Sequence, residues 1–563
     1  MDLGNHVETR HSKITAPQAI CPDLDADGEV SNADYQEFLN RYAAGNCDLN
    51  SDDRCDSQDY LAFLIAYNLA ELTACEDSTP TLHPGQGFPA GEHWEPMPIG
   101  QPGQPGHSAK VIARWDTVSY RDVGPAPGLI GVVAFHVNGI DRVEFSADSG
   151  PVATVRKSAL NPESGVVEYF VRLDPTRYST NRLSELRAVA YPKGAGIPRV
   201  LGGIKSRSYP VRDIVSEPEV GSSFVYVNRG DAPRPVAYVS PNGTPGGDGT
   251  RARPFREIFS ALQAIKSNNG GRLDGGTVYL EKGDYLFNDP ISYANETRDR
   301  YLTISAAPGV PHSDVRIVGG STWGLSAQKI RLQRLKVTTG GAINTNIDNG
   351  HLWIEDVEFA GTDPTHSAGL GWHGGFGFVY VINSIYHDSV DGPKGSELVR
   401  GVVAFNLGQQ PFSLSGAVIN SHAWGIDARD STLHPDVYMT GTNVDQYNII
   451  LYGLTTPPMS GTLGLLCGQA GYVLEGMAVI DSVIHGSNSQ FIGTTRHLYM
   501  KNSIIGTGPL LFRDYRGDPQ FAFTAENVVF ENTRFLAHSP ECRRSVILES
   551  TGGCSEVIGV SYR

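Results

Sequence analysis

The chain of 563 residues has no run of 18 or more apolar residues. Its longest apolar candidate, residues 128–137, is far too short to cross a bilayer as a helix. Positive charge is scarce: 45 Lys and Arg face 61 Asp and Glu, a formal net charge of −16. That balance argues against nucleic acid or an anionic membrane as main partner, since both need clustered Lys and Arg. No CxxC pair and no Cys/His cluster has zinc spacing. The start, MDLGNHVETRHSK, lacks the apolar core of a signal peptide. Cysteine is rare but uneven. Cys21, Cys47, Cys55 and Cys75 open the chain, Cys542 and Cys554 close it, and Cys467 is left over. Clustered even counts predict disulfides in an oxidising compartment. The expectation is a secreted or cell-surface protein whose leader has been removed. What is abundant is Gly, 64 residues, with 35 Pro and 40% hydrophobic residues. There is no collagen period, so the glycines predict many tight turns between short strands around a large core.

The sharpest local signal is a repeat of 25 residues near the start. Asp23, Asp25, Asp27, Glu29 and Asp34 recur as Asp48, Asn50, Asp52, Arg54 and Asp59. Oxygen side chains fall at loop positions 1, 3, 5 and 12, and Glu29 and Arg54 would offer backbone carbonyls at position 7. A hard cation such as Ca²⁺ takes six to eight oxygens in this kind of wrap. Each loop runs into the same apolar stripe, Tyr35-Phe38-Leu39-Tyr42 and Tyr60-Phe63-Leu64-Tyr67, which predicts two helices that pack together. The repeat resembles the dockerin module, with Asp rather than Glu at position 12. The resemblance implies calcium binding and attachment to a cohesin-like or other cell-surface receptor. Asp53 stands where the first loop has Gly28, which points to a weaker second site.

Residues 76–109 hold seven prolines and six glycines and read as an extended linker. Short alternating strands follow over 110–230, with turn signals at Asn138-Gly139 and Ser149-Gly150. They predict a β-sandwich, and FHVNGIDRVEFSADSGP resembles bacterial immunoglobulin-like modules. Its expected role is that of a spacer or a weak carbohydrate-binding module.

From 231 to 563 the pattern changes. A strand and turn near Val236–Gly243, a short amphipathic stretch from Ile258 to Ile265 and a strand at 277–280 open this region. An apolar strand ending in Asn or Asp, usually followed by Ser or Thr, then recurs. It does so at Asp356, Asn383, Asn420, Asp481, Asn502 and Asn532. A solenoid explains the recurrence, because each coil sets its turn residue above the previous one. The region resembles right-handed parallel β-helix proteins of the pectate-lyase-like superfamily. That implies a helix capping the first coil and, in many members, polysaccharide as substrate. The predicted fold is mainly β: a right-handed parallel β-helix, an N-terminal β-sandwich and a small α-helical dockerin-like domain (residues 20–75, after a tail of residues 1–19).

Titratable residues crowd between 363 and 436, where five of the 16 histidines lie. The period-breaking insertions GTDPTHSAGLGWHGG and SHAWGIDARDSTLHPD predict loops on one groove. His434 and Asp436, beside Arg429 and Asp430, are the first-choice catalytic residues. A lyase needs a base, for which His434 or His373 serve, and a cation, for which Arg429, Lys394 or calcium serve. A hydrolase needs two carboxyls, one kept protonated, for which Asp430 and Asp436 serve, with Asp427 in reserve. Trp372 and Trp424 are candidates for stacking on sugar, and Arg400 and His422 for binding it. Neither a pectate-lyase calcium signature nor the paired Asp of polygalacturonases is present. The expected function is polysaccharide cleavage, by lyase or hydrolase chemistry. The competing expectation is a non-enzymatic surface, adhesive or filament-forming rod.

Overall fold

The computed structural model describes Arg41 and residues 109–562, except 120, 123–127, 148–149, 174–182, 202–224, 229–233, 287–296, 298–299, 319–321, 326–328, 339–341, 346–350, 362–377, 427–434, 441–444, 460, 488, 508–509, 514–523, 527, 532–533, 536–540, 544, 549–555 and 559–560. The chain divides into two compact units, Met1–Leu82 with Pro162–Gly165, and His83–Asn161 with Val166–Arg563. In the first, only Arg41 and the turn at 162–165 are described. The dockerin-like repeat, its ten ligand positions and the four early cysteines therefore lie outside the described residues, as does the 76–108 part of the linker. No helix among the described residues is long and apolar enough to cross a membrane.

The second unit opens with two small sheets. Ile112–Trp115, Leu129–Phe135, Val166–Arg172 and Ala159–Asn161 form one, all antiparallel. The other is built on Ile140–Ala147, which pairs antiparallel with Gly150–Val155 and Leu183–Pro192. The predicted turn at Asn138-Gly139 is present, with Gly139 at φ +77° and its N–H donating to His136 O at 2.8 Å. Both sheets feed one apolar core, in which Trp115 and Val132 from the first meet Phe145 and Ala188 from the second.

From Val236 onward most of the strands join one 23-stranded sheet whose pairings are parallel. The helix Ile258–Asn268 turns Ile258, Ala261, Leu262 and Ile265 into the same core as Val239, Val278 and Leu280. It covers the apolar end that no earlier coil covers. Beyond it, three ladders run side by side, consistent with a parallel β-helix. Ladder A includes Phe378–Ile382, Leu398–Arg400, Ala417–Ile419 and Gln446–Tyr452. Ladder B includes Ile385–His387, Val403–Leu407 and His422–Ile426. Ladder C includes Phe412–Ser413, Asp436–Met439 and the start of Leu463–Ile480.

The recurring Asn and Asp mark the corner between ladders A and B. In consecutive coils that corner is Arg334, Asp356, Asn383, Gly401, Asn420, Gly453, Asp481 and Asn502, all at φ between +44° and +65°. Gly, Asn and Asp enter the left-handed region most cheaply, and seven of these eight corners carry one of them, Arg334 being the exception. At Gly453 a Cβ would also stand 2.5 Å from Asn420 Oδ1. The Ser that follows repairs the break in the ladder. Ser482 Oγ donates to Ile480 O at 2.8 Å and accepts from Leu454 N of the previous coil at 3.1 Å. Ser384, Ser421 and Ser503 make the same two bonds, to Ile382 O and Val357 N, to Ile419 O and Val402 N, and to Lys501 O and Ser482 N. Each Ser is buried, and it satisfies the backbone groups that the turn would otherwise orphan.

Ladder A is apolar on both faces. Val381, Val399, Val418 and Leu451 point into the coil core. Tyr380, Leu398, Ile419 and Tyr452 point outward into a second core, shared with Ile112, Val118 and Val133 of the small sheets. Polar bonds fix this seam. Arg114, 1% exposed, donates to Glu397 Oε2 at 3.0 Å and to Asn448 O at 2.8 Å. A Cβ on Gly416 would meet the Arg114 guanidinium at 2.1 Å, so glycine makes room for the cation. Arg400 donates to Asp116 Oδ1 at 2.8 Å. The small sheets thus serve as the cover of ladder A rather than as a spacer beside it.

Candidate functional site

With ladder A covered, the chemistry of the described residues gathers at the corner between ladders B and C. Asp388, Asn406 and Gly425 succeed one another there, again at positive φ. The long insertions leave from the same corner. Residues 362–377 follow Gly361, whose N–H donates to His387 O at 2.9 Å, and residues 427–434 follow Ile426.

Two groups of side chains occupy it. The first lies on the outer face of ladder B. His387 is held from both sides, Nδ1 at 2.7 Å from Asp388 Oδ2 and Nε2 at 3.1 Å from Glu358 Oε1. Lys336 Nζ donates to Glu358 Oε1 at 2.6 Å, and Asn406 Nδ2 donates to Asp388 Oδ1. Burial opposes the charge on His387, but the two carboxylates outweigh it and raise its pKa. Burial likewise acts to raise Glu358, yet His387 and Lys336 hold it down at about 2. His387, Phe405 and Trp424 then stack coil on coil, with centroids 5.0 and 4.8 Å apart and planes within 7°. One face of Trp424 is therefore spent on Phe405.

The second group lies where the chain passes into ladder C. Asp436 opens the strand Asp436–Met439 and is 0% exposed. Gln410 Nε2 donates to Asp436 Oδ2 at 3.3 Å, while Gln410 N donates to Asp391 Oδ1 at 3.2 Å. Lys394 Nζ stands 3.8 Å from Asp391 Oδ2. Burial pushes the Asp436 carboxyl up to about 7, only partly offset by Gln410. Burial also raises Asp391, against Lys394 and the Gln410 N–H. Among the described residues no cluster of three His, Cys, Asp or Glu side chains could hold a metal ion.

The structure brings Asp436 and Lys394 to one corner, with Trp424 on the neighbouring strand. It places Arg400 under the small sheets, in an ion pair with Asp116. His422 is fully buried beside Trp424, and burial lowers its pKa to about 3, which keeps it neutral. Trp372, His373, Arg429, Asp430 and His434 lie outside the described residues, as does Asp427. Sequence reasoning passed over Glu358, Asp391 and Gln410 as site residues. Glu358 becomes visible only once Lys336 and Glu358 are known to pair in register. Gln410 carries no sequence signal.

No family model and no curated protein sequence matches this chain. Among solved structures it is similar to the catalytic domain of a GH87 α-1,3-glucanase in complex with nigerose. Identity is 11% over 76% of this chain and 86% of that one, with a TM-score of 0.29. A rhamnogalacturonan lyase matches at 12% identity over 58% of this chain and 85% of that one, with a TM-score of 0.22. Dex49A from Penicillium minioluteum matches at 11% identity over 76% of each chain, with a TM-score of 0.22. At these scores the likeness is loose and decides neither fold nor chemistry.

Proposed function

We propose that the chain is a carbohydrate-active protein that cleaves polysaccharide by hydrolysis at the corner between ladders B and C. The observation that carries this reading is the Asp436 carboxyl, pushed up to about 7 by burial at the corner where both long insertions depart. A glycosidase needs one carboxyl kept protonated near neutral pH and another kept ionised. An elimination would use the ionised form of the same carboxyl as its base, so the absorbance of the product separates the two chemistries. Asp436 is assigned the acid. Its proton passes to the bridging oxygen as the C–O bond breaks. Water bonds to the sugar carbon and yields its proton to the ionised partner. Asp391 is itself raised by burial and suits that second role poorly. The partner is assigned to Asp430, with Asp427 in reserve, on the insertion that runs into Asp436. The Asp436 cover has to open for substrate to reach the carboxyl.

Calcium at the two N-terminal loops, secretion and docking to a cohesin-like receptor belong to the same proposal and rest on the loop repeat and the cysteine distribution. Chelation should lower the stability of residues 20–75 alone.

The test is a screen of neutral and anionic polysaccharides. Hydrolysis yields new reducing ends without the ultraviolet absorbance of an unsaturated product. Asp436→Asn should lower the rate by roughly 10²–10⁴-fold, the usual contribution of a general acid. A folded Asp436→Asn protein with full activity would sink the assignment, and absorbing products would replace hydrolysis by elimination.

A further inference from the structure

Among the described residues, three buried polar atoms in this corner have no hydrogen-bond partner: Gln410 Oε1, Asp436 Oδ1 and Ser413 Oγ. Gln410 is itself 1% exposed and Ser413 0%. Orphaned groups cost free energy in a dry interior, so each calls for an explanation. The pattern is not random. Gln410 uses its backbone N–H on Asp391, one coil back, and its side-chain N–H on Asp436, one coil on. The same Nε2 lies 3.0 Å from Met439 Sδ, which closes its other side. The amide can therefore neither turn to solvent nor shift along the strand.

We infer that Gln410 is a positioning residue for Asp436: by donating to Oδ2 it leaves Oδ1 as the oxygen that carries the proton, aimed away from the amide. This rests on the reading of Asp436 as the acid. A carboxyl held by a donor on one oxygen keeps its proton on the other, because the donor N–H and a carboxyl O–H cannot share one oxygen's lone-pair direction. Oδ1 is buried, so it gives that proton to an acceptor only once the cover over Asp436 opens. Asp391 and Lys394 face the same Gln410 backbone from the preceding coil, and Cys467 faces Asp436 from the next. None of these bonds Oδ1.

The experiment is an infrared difference titration of the full-length protein, which follows the C=O stretch of the protonated carboxyl. Asp436→Asn identifies the band. The two probes are Gln410→Met, which keeps length and loses the donor, and Gln410→Glu, which keeps shape and adds a competing acid. The Gln410 bond favours the ionised form, so its loss should move the Asp436 titration upward by about one pH unit, as expected for one charge-assisted bond. The alkaline limb of the rate profile should move with it, kcat should fall, and KM should hold. Gln410→Glu should move the titration up further. If neither variant moves the band, Gln410 only packs and the inference falls. If the band moves but Asp436→Asn retains activity, the assignment of Asp436 as the acid falls instead.

Discussion

Asn448 meets the backbone of Ala113 with both halves of its amide: it accepts from the Ala113 N–H at 2.9 Å and donates to the Ala113 carbonyl at 2.6 Å. The side chain stands in for the strand that the small sheet would otherwise lack at this edge. Asn448 also turns a coil corner at φ +57°, in register with Gly476 and His497. One position must therefore supply a left-handed backbone and a short two-way polar group, and asparagine supplies both.

Asn448→Ala should cost about 3–5 kcal/mol, from two buried backbone groups left unsatisfied and a strained φ. Asn448→Gly removes the same bonds without the strain, so it should recover about 1 kcal/mol of that loss. Urea unfolding of the three proteins measures both terms. Equal losses in the two variants would show that the φ requirement is not felt.

Asp436 sets a pH dependence that does not need a substrate. Its pKa is about 7 in the fold against an ordinary 3.8, so the native state binds the proton more tightly. Stability then falls as pH rises from 3.8 towards 7, and the ionised carboxyl above that range costs about 4 kcal/mol. Asp436→Asn keeps the shape and removes the charge. It should unfold later than the wild type at pH 8 and alongside it at pH 3.5. A gap that does not change with pH would mean that this carboxyl is not what titrates.

Ser482 tests the corner that the sequence motif announced. Ser482→Ala leaves the Leu454 N–H without its acceptor inside the coil, at a cost of about 1–3 kcal/mol. Hydrogen exchange at Leu454 should rise selectively. Exchange that stays at the wild-type rate would show that the hydroxyl is dispensable.

The Asn, Asp and Ser of these corners were legible because a left-handed turn admits few residue types and recurs once per coil. The apolar strands were legible because ladder A is buried on both faces and so reads as short runs rich in Val, Ile, Leu and Tyr. The cap at Ile258–Asn268 was legible from its stripe. The covering of ladder A was not. Arg114 and Arg400 look like surface cations in a line of sequence, and only their partners Glu397 and Asp116, more than 280 residues away, reveal them as seams. Asp436 was legible as a crowded acid but not as a buried one, because its burial depends on coils contributed from 410 and 467. His387 was visible only as one histidine among several. Its two carboxylates come from its own neighbour and from 29 residues earlier, a spacing set by coil length rather than by any motif.

His387 supplies the last prediction. Its pKa is raised by Glu358 and Asp388, so its contribution to stability is complete below about 6.5 and disappears as pH climbs through the folded value. Glu358, held at about 2, contributes above about 4.5 and loses that contribution as pH falls through 2. The bridge is therefore worth most between about 4.5 and 6.5, where the imidazolium and the Glu358 carboxylate are charged together. Lys336, the other cation on Glu358, softens its loss but does not replace the His387 bond to Asp388; the His312 ring stands farther off, its Nε2 at 4.0 Å from Glu358 Oε2. His387→Gln keeps a polar side chain without the charge. It should cost about 1–2 kcal/mol at pH 5.5 and less at pH 8.5, because the wild-type ring loses charge as pH rises. Combined with Glu358→Gln it should cost less at pH 5.5 than the sum of the two single losses, since the His387–Glu358 pair can be lost only once. Thermal unfolding of the four proteins at the two pH values decides the matter. Losses that are equal at both, or that simply add in the double variant, would show that the ring holds this corner by its stack on Phe405 and not by its charge.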